Sequence, residues 1–113
     1  MHELALAREA VRLVAEDAAR RGCARVTAVK LRCGEMTAVL PAALQLAFTC
    51  ATQGTLVAGA HLDISVAPAR AQCSRCGEEF RPEAWLLLCP RCHTPGARLL
   101  AGREMEIISY EGA

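Results

Sequence analysis

Apolar residues recur at helical spacing over the first twenty positions. Leu4, Ala7, Val11, Val14 and Ala18 fall three and four apart, and Leu6, Ala10 and Leu13 widen the stripe. Arg8, Glu9, Arg12, Glu16 and Arg20 lie on the opposite side. The pattern predicts an amphipathic helix over residues 2–21, with Asp17 near the edge of the apolar sector and Gly22 as its stop. From Arg25 to Cys33 the period falls to two. Thr27, Val29, Leu31 and Cys33 share one face and Lys30 and Arg32 the other, which predicts a half-buried strand ended by Gly34. A second helix is expected from Pro41 to Thr52, with Pro41 in the first turn and Gly54 at the carboxy-terminal cap. Leu44, Ala47, Phe48 and Ala51 form its inward face. Alternation returns from His61 to Ala67, with Leu62, Ile64 and Val66 inward and His61 at the surface. Arg103 to Glu111 reads as a last strand, with Met105 and Ile107 on one face.

The order is therefore helix, strand, helix, strand, a cysteine-bearing segment, and a strand expected to rejoin the first sheet. That is an α+β fold, a small two-helix, three-stranded-sheet domain with an inserted module. The expected division is 1–68 plus 102–113 for the α/β domain and 69–101 for the module, with Pro68 and Gly102 as hinge points. Aromatic residues are limited to Phe48, Phe80, Trp85 and Tyr110, so the core must be built from Ala, Val and Leu. A core of that kind is marginal at this size without a staple.

The net charge of +1 and the lack of a long basic run argue against nucleic acid as partner. No stretch of about 18 apolar residues is present to span a membrane. The opening Met1-His2-Glu3 lacks the basic region of a secretory signal. Seven cysteines, an odd number, suit a reducing cytoplasm better than a disulfide framework. There is no Ser/His/Asp set, carboxylate pair or phosphate-cradling glycine loop, so the chain does not read as an enzyme.

Four of the cysteines have ligand spacing. Cys73-x-x-Cys76 and Cys89-x-x-Cys92 are separated by twelve residues. Each CxxC turn sets two thiolates on one side of a tight loop, and two turns supply the four corners of a tetrahedral ion. The interval is shorter than the roughly 15–20 residues common between such pairs, yet it suffices for a short hairpin with Phe80 and Trp85 as its core. Structural zinc fits this donor set best and makes the insert zinc-ribbon-like; two disulfides or a rubredoxin-like iron site are the alternatives. Such a centre is coordinatively closed.

The amino terminus carries a different chemistry. The Met1 amine, the His2 amide nitrogen and the His2 imidazole can chelate one ion through fused rings. Amide-nitrogen ligation favours a square-planar ion, nickel or copper over zinc, and Glu3 can add a carboxylate or orient the imidazole. On the triplet alone, the plainer reading of His2 and Glu3 as polar residues opening a helix is favoured.

The triplet is the first of several blocks. Val29-Lys30-Leu31-Arg32-Cys33-Gly34-Glu35-Met36-Thr37 follows, then Gly54-Thr55-Leu56, the two CxxC turns with Cys89-Pro90-Arg91-Cys92-His93, and Gly102-Arg103-Glu104-Met105-Glu106-Ile107-Ile108-Ser109-Tyr110-Glu111. In this order the chain resembles, nearly end to end, the HypA/HybF family of hydrogenase nickel-incorporation proteins. The resemblance implies a cytoplasmic metallochaperone in which nickel is cargo, held weakly at Met1, His2 and Glu3, and zinc is structural, held by Cys73, Cys76, Cys89 and Cys92. It implies delivery to the large-subunit precursor of [NiFe] hydrogenase together with a nickel-handling maturation GTPase of the HypB type. Homodimer formation and service to urease stay open. The chain departs from the family at Leu40 and Ala42, where some members carry acidic residues, so an auxiliary carboxylate is absent there. A reading that rests on the cysteines alone is a zinc-ribbon module binding protein or nucleic acid without nickel cargo.

The remaining candidates have plainer readings. His93 reads first as an exposed turn residue, with an auxiliary metal ligand as the alternative. Cys23, Cys33 and Cys50 match no ligand spacing and are expected as small buried hydrophobes. Glu35 either braces the amino-terminal site or caps its turn.

Overall fold

The computed structural model describes residues 3–83 and 86–113. In chain order the elements are helix α1 (Glu3–Arg20), strand β1 (Val26–Gly34), a 3-10 turn (Glu35–Thr37), helix α2 (Pro41–Ala51), and strands β2 (His61–Ala67), β3 (Arg70–Gln72), β4 (Glu79–Phe80), β5 (Arg98–Ala101) and β6 (Met105–Gly112). They form two three-stranded sheets, one in the order β2-β1-β6 and the other β4-β3-β5. The fold is α+β, and the last strand rejoins the first sheet as expected.

The chain divides into two compact units. One holds Met1–Arg32, Ala38–Ser65 and Glu106–Ala113, the other Cys33–Thr37 and Val66–Met105. No described helix is long and apolar enough to cross a membrane.

The first unit is built on α1. Ala7, Ala10, Val11, Val14 and Ala18 are buried, and with Val26, Val29, Leu31, Leu44, Phe48, Val57 and Leu62 they form its core. Leu4 and Leu13, placed in or beside the stripe by periodicity, are 39% and 43% exposed. The buried surface is narrower than the apolar one because alanines fill its centre and bring the neighbouring elements close. The helix ends in a Schellman turn: Cys23 N–H donates to the Ala18 carbonyl, Gly22 N–H donates to that of Ala19, and Gly22 adopts φ +76°. Asp17 accepts hydrogen bonds from the Tyr110 hydroxyl of β6 and from Arg21. That anchors the flank of the helix to the sheet.

Two strands correct the expected alternation. In β1 the buried residues are Val26, Val29, Leu31, Cys33 and Gly34, so the pattern slips between Val26 and Val29 and Thr27 is exposed. Its hydroxyl donates to the Glu111 carbonyl instead, 3.3 Å away. In β2 Val66 is 49% exposed and Ala67 takes the buried position. Ala67, Ala69 and Ala71 are buried in succession around the entry to the second unit, where only small side chains fit.

Helix α2 starts at Pro41, as expected, and its cap is Thr52 in helical conformation; Gly54, at φ +75°, lies in the turn beyond. Leu44 and Phe48 are buried. Cys50 points the other way and is exposed, which corrects its assignment to the core; Cys33 is buried and Cys23 half-buried.

In the second unit β3 pairs antiparallel with both β4 and β5. Phe80 is half-buried, while Trp85, expected beside it, lies outside the described residues. The turn that enters this unit is held by steric and polar contacts. A Cβ on Gly34 would lie 2.1 Å from the Gly102 carbonyl carbon, so only glycine fits there. Glu35 Oε1 accepts from the Ala69 N–H and Oε2 from Arg81 at 2.9 Å.

Candidate metal centre

The two CxxC turns fold in the same way, residue for residue. After β3, Cys73 N–H donates to the Glu78 carbonyl and Gly77 N–H to the Cys73 carbonyl, with Gly77 at φ +78°. In the second turn Cys89 N–H donates to the Thr94 carbonyl and His93 N–H to the Cys89 carbonyl, with His93 at φ +61°. His93 thus occupies the left-handed position that glycine fills in the first turn, a conformation that costs an L-residue about 1–2 kcal/mol. Its side chain is exposed and outside the cluster of close donor atoms.

The Sγ atoms of Cys73, Cys76, Cys89 and Cys92 all lie within 4.8 Å of one another. Cys73 and Cys92 are 3.5 Å apart, Cys76 and Cys89 3.6 Å. Bonds of about 2.3 Å to a tetrahedral ion set sulfurs roughly 3.8 Å apart, so the cluster is sized for one. Cys89 is fully buried, Cys73 nearly so, Cys92 half-buried and Cys76 exposed.

Backbone N–H donors are aimed at the sulfurs. Arg75 and Cys76 N–H groups donate to Cys73 Sγ at 3.4 and 3.5 Å, and Cys92 N–H donates to Cys89 Sγ at 3.5 Å. The Cys76 and Arg75 amides pull the Cys73 thiol below its ordinary range. Thr94, by its hydroxyl 3.2 Å from Cys92 Sγ and then by its backbone, pulls Cys92 down to about 6. At Cys76 a backbone hydrogen bond at Glu78 pulls the same way, but burial and the three neighbouring thiols outweigh it and push the group up to about 11. Sulfurs this close cannot all be anionic without a cation between them. The donor set therefore fits a structural metal such as zinc.

The amino-terminal candidates separate. Met1 and His2 lie outside the described residues, so the geometry of that site is not among the described contacts. Glu3 opens α1, and its carboxylate accepts a hydrogen bond from the Leu40 N–H at 3.3 Å. Leu40 is the N-cap of α2 and offers no side-chain cap of its own. The carboxylate of Glu3 thus satisfies the N-cap residue's own N–H, the role an acidic residue plays in the second half of a capping box. Sequence reasoning left Glu35 undecided and overlooked Thr94.

The family described as hydrogenase/urease nickel incorporation, metallochaperone, HypA matches residues 1–112. The hydrogenase maturation factor HypA of Chloroflexus aurantiacus is 38% identical over 112 residues, covering 98% of each chain. That of Geobacter metallireducens is 34% identical over 111 residues, again 98% of each. The solution structure of the Ni metallochaperone HypA from Helicobacter pylori superposes with a TM-score of 0.72 at 27% identity, over 99% of this chain and 97% of that one. The chain belongs to the HypA family of nickel-incorporation metallochaperones, maturation factors for hydrogenase rather than enzymes.

Proposed function

We propose that this protein takes up one Ni(II) ion at a free amino terminus and delivers it to the large-subunit precursor of [NiFe] hydrogenase in the cytoplasm, in concert with a nickel-handling GTPase of the HypB type. The Met1 amine, the His2 amide and imidazole, and Glu3 form the cargo site. The observation that carries the reading is the family match, which runs from residue 1 and so includes Met1-His2-Glu3. An amine, a deprotonated amide and an imidazole favour a square-planar ion, which selects nickel over zinc. The ligands sit on a chain terminus, which suits an ion that must be handed on.

Cys73, Cys76, Cys89 and Cys92 hold zinc in this reading. A closed tetrahedral centre of four thiolates supplies structure, not reactivity. The division of labour is then nickel handling in the unit of Met1–Arg32, Ala38–Ser65 and Glu106–Ala113, and zinc-stabilised shape in that of Cys33–Thr37 and Val66–Met105.

The test is a calorimetric titration of nickel into zinc-loaded protein with a native, untagged amino terminus, beside His2→Ala. One nickel equivalent that disappears in the variant is the expected result. Equal binding by the two proteins removes the proposed site. Absence of nickel binding by the native protein leaves a zinc-ribbon interaction module.

A further inference from the structure

The basic side chains of the second unit are not used alike. Among the described residues, Arg70 pairs with Glu79, Arg81 with Glu35 and Arg91 with Glu78. Arg75 and Arg98 have no carboxylate partner among the described ion pairs, yet both line one depression on the first cysteine turn, together with Cys73 and Cys76. No acidic side chain lines that depression. Arg98 is held there: it stands opposite Gln72 across β3 and β5, and it donates to Gln72 Oε1 at 3.2 Å. Gln72 in turn donates through Nε2 to the Gly77 carbonyl at 3.3 Å, so its carboxamide ties Arg98 to the turn.

Four thiolates around a divalent ion leave two surplus negative charges. Two guanidiniums on the same depression match that surplus in number and sign. Cys76 is the exposed member of the four and lines the depression, so its sulfur is the point of entry for an incoming electrophile. In a chaperone whose cargo is a divalent ion, the most consequential electrophile is the cargo.

We propose that Arg75 and Arg98 are specificity determinants that keep cargo nickel off the four-cysteine centre. With zinc held by the four cysteines, displacement would begin at the Cys76 sulfur; each nickel–sulfur bond made would replace a zinc–sulfur bond, with no electron transferred and Zn(II) released to water. The two cations raise the electrostatic cost of a dication approaching Cys76 and lower the nucleophilicity of the thiolates they offset. The protection is kinetic and it falls with ionic strength, because both side chains are exposed.

This inference rests on the zinc reading above. The test adds excess nickel chloride to the zinc-loaded full-length chain, with a chromophoric chelator recording released zinc and the sulfur-to-nickel charge-transfer absorption recording nickel at the cysteines. The Arg75→Gln/Arg98→Gln protein is expected to exchange roughly three- to tenfold faster than native, a difference that shrinks in high salt. Arg75→Lys/Arg98→Lys, which keeps both charges, is expected near the native rate, as is Arg91→Gln, which disturbs a paired arginine. An unchanged rate in the Gln variant, or equal acceleration by Arg91→Gln, overturns the inference. Should the double variant lose zinc outright, Arg75→Gln alone carries the test, since the Arg75 side chain makes no described hydrogen bond or ion pair. A native protein without stoichiometric zinc overturns the zinc reading itself, and that is seen before nickel is added.

Discussion

Alanine in place of Gly34 and alanine in place of Gly22 are the same chemical change set against two different obstacles. Gly22 has φ +76° and nothing within 4 Å of where a Cβ would stand, so its substitution meets only the left-handed backbone, at roughly 1–2 kcal/mol. A Cβ on Gly34 meets the Gly102 carbonyl carbon and oxygen at 2.1 Å and the Arg103 nitrogen at 2.6 Å. Heavy atoms must stand about 3 Å apart or more, so one backbone segment has to retreat by about 1 Å. That shift strains two hydrogen bonds, from Gly34 N–H to the Glu104 carbonyl at 2.7 Å and from Met36 N–H to that of Gly102 at 2.8 Å. Overpacking at about 1–3 kcal/mol and weakened buried hydrogen bonds at about 1–3 kcal/mol together give an expected loss centred on about 4 kcal/mol. Urea unfolding of the metal-loaded proteins measures it. With a slope near 1.5 kcal/mol/M, the Gly34→Ala midpoint is expected about 2–3 M below native and the Gly22→Ala midpoint about 1 M below, with slopes unchanged. Equal midpoints for the two variants would refute the claim that close backbone approach, and not backbone freedom, fixes glycine at position 34.

Two further outcomes follow from the polar contacts and the cysteine turns. Tyr110 is the sole tyrosine, so its ionisation can be followed cleanly by phenolate absorption near 295 nm. The Asp17 carboxylate it binds, and then burial, raise the phenol above its ordinary value. A raised value in the folded state stabilises the protein fully below about pH 10 and ceases to do so as pH climbs through it. Asp17→Asn should bring the titration back toward the ordinary value, and an unmoved curve would contradict the contact. Removal of the bound metal by a strong chelator should abolish the ordered β3, β4 and β5 strands while the helical signal at 222 nm stays close to native. The strands are only two to four residues long and depend on the cysteine turns between them. Retention of their amide protection after chelation would show that the ribbon stands without its metal.

The elements with a strong period were legible in the sequence. Helix α1 is found within a residue of its expected end because Gly22 can take the left-handed turn, and α2 begins where Pro41 permits. The four cysteines come together because spacing alone dictates two equivalent turns. The slips in β1 and β2 were not legible, since a local change in which residues face inward leaves the composition unchanged. Nor does the alternation up to Cys33 reveal that Cys33–Thr37 packs with the second unit. Cys50 was misjudged because a small residue carries little weight in a helical pattern whose inward face is set by Leu44 and Phe48. Arg75 and Arg98 are unremarkable as letters; the depression they share beside the first cysteine turn, with Arg70, Arg81 and Arg91 each paired to a glutamate, singles them out.

The order β2-β1-β6 makes the first sheet a late event in folding. Strand β6 can join β1 only by closing a loop that holds everything between Gly34 and Met105. Contacts between strands so far apart in sequence form slowly, because the intervening chain must be confined before any pairing is gained. A metal that clips Cys73 to Cys92 removes that segment from the fluctuating loop and shortens the search that remains. A metal held there would ease completion of the first sheet modestly, since loop closure depends only weakly on length, and would couple the ribbon's order to the pairing of β1 with β6.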